Sequence, residues 1–366
     1  MRLDHLTITD YRNIAAAELT PDPGLTVLCG ANGQGKTNLL EAIWMLTGGK
    51  SFRGSKDAEL IRRGEAFSVL DARFEGRGRE QTLRLTVGGR DTRRPGRSGR
   101  LNGTDYARAG AMAGAFTAVV FEPNHLSLVK GGPEGRRRFL DTALCQLYPG
   151  YLAALRRYAR IITQKNALLK SYEITPGAAQ LLEAFQNELV KYGAQIMIYR
   201  RGYLGNLAPA AAKNYEEISS GAERLELRYL PAASVEDPDP ADALAEKLAA
   251  MEQAELRAGY CLVGPHREDV EILINDQPAR VFGSQGQQRS AVLAMKLAEA
   301  AMAGELLEEE PVMLLDDVLS ELDDDRQTYL LTRIGKNQTF VTTCDTAAFA
   351  RTNGKIVIVE GGRVRE

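Results

Sequence analysis

Gly30-Ala31-Asn32-Gly33-Gln34-Gly35-Lys36-Thr37 has the spacing GxxxxGK[ST] in full. The apolar run LTVLCG leads into it, and NLLEAIWMLTGG, with helical periodicity, leads out of it. Strand, glycine loop and helix in that order are what a phosphate-binding loop requires. The glycines let successive backbone N–H groups turn toward a β-phosphate, and the following helix adds the positive end of its dipole. In such a loop Lys36 spans the β- and γ-phosphates and the Thr37 hydroxyl ligates Mg2+. The expected ligands are therefore ATP and Mg2+.

Val312-Met313-Leu314-Leu315 is an unbroken apolar run, the pattern of a strand buried on both faces, and it ends in Asp316-Asp317. A strand of this kind delivers a carboxylate to a metal shell. Asp316 is the expected Mg2+ ligand, and Asp317 the expected general base for an attacking water. Without the phosphate-binding loop, two aspartates there would merely begin a loop. Leu319-Ser320-Glu321-Leu322-Asp323 follows at once, with the spacing of the D-loop of ABC ATPases. Upstream, Ser284-Gln285-Gly286-Gln287-Gln288-Arg289 opens a helix and is similar to the ABC signature, with SQGQQ where transporters carry SGGQ. A Ser hydroxyl, a glycine backbone and a helix N-terminus form a second anion site; an ordinary Ser cap is the other reading.

The chain has 366 residues, 44% of them hydrophobic, which is ample for a core and for two domains. No apolar run is long enough to span a membrane, and residues 1–14 lack the apolar centre of a signal peptide, so a soluble cytoplasmic protein is expected. The cysteines at 29, 145, 261 and 344 are scattered, without CxxC spacing, so neither zinc nor disulfides are expected. The net charge of −2 hides a local asymmetry. Between Arg73 and Arg108 stand ten arginines against four acids. Arg90, Arg93, Arg94, Arg97 and Arg100 lie in the Gly/Arg stretch GGRDTRRPGRSGR, read as an exposed turn between strands. Two readings of these five stand: contacts to DNA phosphates, or a solvated charged face. Smaller basic clusters fall along helices at Arg136-Arg137-Arg138, at Arg156-Arg157 with Arg160, and at Arg200-Arg201.

Period-two alternation marks strands in LDHLTITDYR, from Phe67 to Val87, and from Val270 to Val281. Apolar spacing at i, i+3 and i+4 marks helices through most of Pro133 to Gly259, in particular Ala178 to Leu207, with one strand at ERLELRYL and a Pro/Asp loop after it. Further helices are expected over Gln287 to Ala303 and Asp324 to Ile334. The fold class is α/β: an ABC-type P-loop ATPase head with mixed β-sheets and an inserted, mainly helical lobe. The expected lobes are 1–130 with 260–366, and 131–259, with the signature at 283–289 where the chain returns.

TDYRN, GANGQGKTNLLEAI, KSFRGSKDAELIRRG, FEPNHLSLVKGGPEGRRRFLD, GPHREDVE, GSQGQQR, LLDDVLSELD and FVTTCD occur in this order over residues 9–345. In sequence and order they resemble the RecF family of bacterial recombination mediators. The resemblance implies that Arg53 reaches the phosphates in cis and that Arg12 and Asn13 lie near the base or ribose. Asn38, Asp323, Ser284, Gly286 and Gln287 join the nucleotide site, the last three from the opposite subunit of an ATP-dependent homodimer. It also implies duplex and gapped DNA as substrates, RecR and RecO as partners, slow ATP hydrolysis, and assistance to RecA loading at single-strand gaps and in replication restart. The chain departs from the wider ABC pattern at three places. Asp317 replaces the usual Glu, Cys344 occupies the H-loop histidine position, and Glu122 stands where the Q-loop glutamine is expected.

Other classes fit less well. A P-loop phosphotransferase has no use for a signature or D-loop. A transporter subunit needs the missing histidine. An SMC-type head needs hundreds of heptad-patterned residues between its motifs, and here only residues 38–283 intervene. His5, His125 and His266 do not form a catalytic cluster by spacing; His266 in GPHRED reads equally as a functional or a satisfied loop residue.

Overall fold

A computed structural model describes residues 1–234, 239–344 and 354–365. The centre of the Pro/Asp loop and Asp345 lie outside the described residues. The chain divides into two compact units, Met1–His125 with Lys296–Glu366, and Leu126–Met295.

In the first unit the unbroken apolar runs assemble a six-stranded sheet. Its order is Arg363–Arg365, Lys355–Glu360, Leu25–Cys29, Thr339–Thr343, Val312–Asp316, Ala118–Phe121. All pairs are parallel except the terminal hairpin. Every residue of Val312–Asp316 is buried, as a strand covered on both faces must be. Only Thr339–Thr343 separates Leu25–Cys29 from Val312–Asp316, so the glycine loop and Asp316 emerge at the same carboxyl edge. That edge is where open α/β sheets place ligands.

The second sheet of this unit is antiparallel, in the order Ile14–Leu19, Arg2–Tyr11, Phe67–Gly76, Arg79–Gly88, Gly96–Leu101, Thr104–Tyr106. Alternation explains its inner face: Gln81, Leu83, Leu85 and Val87 are buried in turn. Leu3, Leu6 and Ile8 break that parity yet all face inward, because the register shifts between Leu3 and His5 and resets the pleat. Leu6 and Ile8 share one core with Leu40 and Ile43 of helix Lys36–Met45 and with Leu314 and Phe340 of the parallel sheet. Burying each such side chain contributes about 1.5–3 kcal/mol. The Gly/Arg stretch is the expected turn between strands only over residues 89–95, and its second part differs. Gly96–Leu101 is a strand, pairing Arg97 with Val87 and Arg100 with Arg84, a pattern that glycine and arginine hide from an apolar count.

The second unit packs helices Pro133–Leu147, Pro149–Lys170, Ala178–Ile218 and Ala241–Ala258 with a three-stranded sheet, Gln277–Pro278, Asp269–Ile274, Leu225–Leu230. Helix Ala178–Ile218 continues past Leu207 and through Pro209 because the stripe Leu207, Ala211, Tyr215 keeps its buried spacing. The strand expected to reach Val281 stops sooner. Asn275 and Asp276, both at positive φ, turn a tight hairpin, and Pro278 ends the ladder before the helical turn Ala279–Phe282.

Residues 260–295, expected with the ATPase lobe, cluster instead with the second unit. Two contacts explain this. Asp269–Ile274 pairs along its whole length with Leu225–Leu230, and Glu268 accepts from the buried Arg200 at 2.7 Å. Helix Gln285–Leu307, longer than expected at both ends, belongs to the second unit through Met295 and to the first from Lys296.

Candidate functional site

Gly30 begins the loop against a neighbouring strand: a Cβ there would lie 2.2 Å from the Val359 carbonyl oxygen. Gly33 and Gly35 take φ of +80° and +115°, conformations closed to ordinary side chains, and Gly35 leads directly into helix Lys36–Met45. The loop is thus a concave run of backbone at a helix N-terminus, the form of an anion cradle. Lys36 Nζ donates to the carbonyls of Gly30 (2.5 Å) and Ala31 (3.0 Å) and to Cys344 Sγ (3.3 Å). Cys344 in turn donates to Asn32 Oδ1 at 3.1 Å. Gln34 fastens the loop to the terminal hairpin, accepting from Gly361 N at its side chain and from Gly362 N at its carbonyl.

Asp316 stands opposite, 7% exposed. Its Oδ1 accepts from Thr37 Oγ1 at 2.8 Å and from Thr342 Oγ1 at 2.9 Å. Burial pushes the Asp316 carboxyl above its ordinary value, and the two hydroxyl hydrogen bonds with the charge of Arg53 oppose that rise. Among the described residues no three His, Cys, Asp or Glu side chains gather into an all-protein metal cage. Mg2+ beside a nucleotide asks for less, one or two protein oxygens with phosphates and waters, and Thr37 with Asp316 fits that need. Asp317 is exposed, in a left-handed conformation at φ +51°, with its N–H held by Thr342 Oγ1 and its Oδ1 accepting from Ser320. The two adjacent aspartates thus differ in environment, Asp316 buried and Asp317 exposed.

A polar chain borders the loop. Arg53 donates to Asn38 Oδ1 (2.9 Å), Asn38 to Asn13 Oδ1 (2.8 Å), and Asn13 to the Gln34 carbonyl (3.3 Å). These three expected residues are brought together at the loop. Arg12 is placed differently. Its guanidinium grips the fully buried Glu41 through Nε and Nη2, both at 2.9 Å, and also bonds Ser55 Oγ and the Glu59 carbonyl. Four of its five N–H groups are committed to the protein's own frame. Asp323 is likewise a frame residue here. It caps helix Asp324–Arg333, accepting from Arg326 N at 3.0 Å, and that hydrogen bond holds its carboxyl below the usual value. Glu41 and Thr342 have no sequence signal of their own, and the loop motif marks Gln34 without its tie to Gly361 and Gly362; these roles come from partners far along the chain.

The signature lies in the second unit. Ser284 Oγ accepts from Gln287 N at 3.2 Å, and Gln287 Oε1 accepts from Ser284 N at 2.7 Å, a reciprocal capping box at the start of helix Gln285–Leu307. Gln287 Nε2 also donates to Glu223 at 2.6 Å. Gln287 is therefore fixed by its own unit, while Ser284 remains exposed. The five arginines of the Gly/Arg stretch divide. Arg90, Arg93 and Arg94 are exposed. Arg97 turns inward onto the Gly49 carbonyl and Asp57, and Arg100 pairs with Asp105 at 2.7 Å. Glu122 ends strand Ala118–Phe121 with its N–H on His125 Nδ1. No described helix is long and apolar enough to cross a membrane.

Comparison with known proteins is consistent over the whole length. The RecF/RecN/SMC N terminal domain family matches residues 2–363. The DNA replication and repair protein RecF of Geobacillus thermodenitrificans (strain NG80-2) is 40% identical over 349 residues, 94% of this chain and 92% of that protein. A solved structure of the recombination mediator protein RecF-ATP in the RecFOR pathway superposes with a TM-score of 0.91 at 34% identity, covering all of this chain and 97% of the other. The Smc head domain of Pyrococcus furiosus, at 17% identity and a TM-score of 0.56, shares the ABC-type head fold. By family model, sequence identity and fold alike, the chain belongs to the RecF family.

Proposed function

We propose that this chain is an ATP-gated, DNA-binding recombination mediator. ATP binds to Gly30–Thr37 and closes two copies into a homodimer on duplex or gapped DNA, and slow hydrolysis reopens it. The observation that carries this reading is the 2.8 Å contact of Thr37 with the buried Asp316, beside a lysine held at the mouth of the loop. Thr37 and Asp316 would hold Mg2+, which would supply positive charge to the phosphate oxygens of the nucleotide. Lys36 exchanges its carbonyl partners for phosphate oxygens, and Asp317 accepts the proton of the attacking water. A carboxylate one methylene shorter than the usual Glu suits slow turnover. Cellular work follows the family: in the cytoplasm, with RecR and RecO, assisting RecA loading in gap repair and replication restart.

Two variants test the assignment of roles. Lys36→Ala is expected to abolish ATP binding by equilibrium dialysis. Asp317→Asn keeps the shape but accepts no proton, so it is expected to bind ATP as the parent does and to hydrolyse it at least about 100-fold more slowly, the scale of general-base catalysis. Parental hydrolysis by Asp317→Asn removes Asp317 as the base.

A further inference from the structure

The basic clusters on the helices have different fates in the structure. Arg136 is buried on Asp269 at 2.6 Å, Arg137 donates to the Glu268 carbonyl, and Arg200 is buried between Asp141 and Glu268. These arginines hold the second unit together. Arg156, Arg157 and Arg160 do not. All three are exposed on helix Pro149–Lys170, and none makes a hydrogen bond or ion pair among the described residues. Some exposed arginines elsewhere find acids, as Arg100 finds Asp105, Arg224 Asp276 and Arg228 Glu271, whereas others such as Arg257 and Arg280 stand singly, without a second arginine beside them on one helix face.

The spacing makes a ridge. At about 100° per residue, Arg156, Arg160 and Arg157 fall within one arc of about 100°, and Arg156 and Arg160 stand about 6 Å apart along the axis. The opposite face, Tyr151, Ala154, Tyr158, Ile161 and Leu168, is buried, so the ridge is carried on a fixed support. The helix contains no Asp or Glu at all. Three like charges at neighbouring helical positions repel one another and weaken the helix, so local stability does not account for them.

We propose that Arg156, Arg157 and Arg160 form a phosphate-contact ridge for duplex DNA, separate from the Gly/Arg stretch. The inference rests on the DNA-binding function proposed above. Their exposed neighbours on that arc include Thr163 and Gln164, with no aromatic side chain. Arg, Thr and Gln are side chains that contact the DNA backbone without reading sequence. A protein interface needs aromatic or aliphatic anchors, and a single strand needs rings for its bases to stack on; this face offers neither. One strand of duplex DNA presents a charge per about 3.4 Å of the axis, so a ridge of about 6 Å meets about two phosphates.

The test measures affinity for a blunt, labelled DNA duplex against salt, with ATP and Mg2+ present, for the full chain and two variants. Arg156→Ala/Arg157→Ala/Arg160→Ala removes the charges with a good helix former, and Arg156→Lys/Arg157→Lys/Arg160→Lys keeps them. The alanine variant is expected to lower the slope of log K against log salt by about 0.9 for each phosphate no longer neutralised, and the lysine variant to retain most of the slope. ATP binding stays at the parental level in both. An unchanged slope in the alanine variant overturns the ridge and leaves it to an acidic protein partner or to solvent. A parent that binds no duplex overturns the DNA-binding function itself.

Discussion

His266 sits between two groups that define its protonation. The Tyr158 hydroxyl is 2.8 Å from Nδ1 and the Cys261 carbonyl 3.2 Å from Nε2. A carbonyl only accepts, so Nε2 carries the proton and Nδ1 accepts from Tyr158. Burial pushes the ring from its ordinary 6.5 down to about 4; the Cys261 hydrogen bond opposes the shift, and the charges of Arg267 and Arg137 add to it. Between these two values the unfolded chain binds the proton that the folded chain refuses. Stability is therefore full above about 6.5 and falls as the pH drops toward about 4, by about 2 kcal/mol between about pH 7 and 5 from this group. His266→Gln is expected to flatten urea-measured stability over that interval by this amount. An identical pH slope in parent and variant would place the acid sensitivity elsewhere. The motif GPHRED points to this residue without deciding its role, because burial is a property of the packed chain. Gly30 teaches the complementary lesson. The motif demands a glycine so that backbone can approach phosphate, while the fold demands it also because Val359 leaves no room for a Cβ.

At the level of elements, one ion pair ties the antiparallel sheet to the helix that follows the loop. Arg12, just beyond strand Arg2–Tyr11, is bidentate to Glu41, which is fully buried in helix Lys36–Met45 and also accepts from Ser51. Removing only the arginine leaves a buried carboxylate without its counter-charge. Arg12→Met is expected to cost about 3 kcal/mol in urea unfolding, and adding Glu41→Leu to recover most of it. Equal stability of the single and double variants would show that the pair contributes no coupling. The strands around this pair are readable from sequence because their burial is written locally, in alternation for Arg79–Gly88 and in an unbroken apolar run for Val312–Asp316. The loop is readable because its chemistry dictates both residue and spacing. The partnership of Arg12 with Glu41 and the second hydroxyl on Asp316 from Thr342 are not, since each is defined by a partner distant in sequence, and the strand Gly96–Leu101 is not, since its glycines and arginines leave no apolar alternation to read.

For the whole molecule, the two halves of the proposed nucleotide site are carried by different units, the loop with Asp316 on the first and Ser284 with Gly286 on the second. If the signature of one copy receives the γ-phosphate held by the other, hydrolysis rises faster than linearly with protein concentration. A mixture of Lys36→Ala and Ser284→Arg then forms heterodimers with one complete site, and partial activity returns on mixing. Ser284→Arg also removes a helix cap, at a cost of about 1 kcal/mol, so Ser284→Ala serves as the control for that loss alone. The most direct measurement is sedimentation velocity with ATP and Mg2+. The parent and Ser284→Ala are expected to shift from monomer to dimer on adding ATP, while Ser284→Arg binds ATP and stays monomeric. A Ser284→Arg protein that dimerises on ATP as readily as the parent would contradict the shared site.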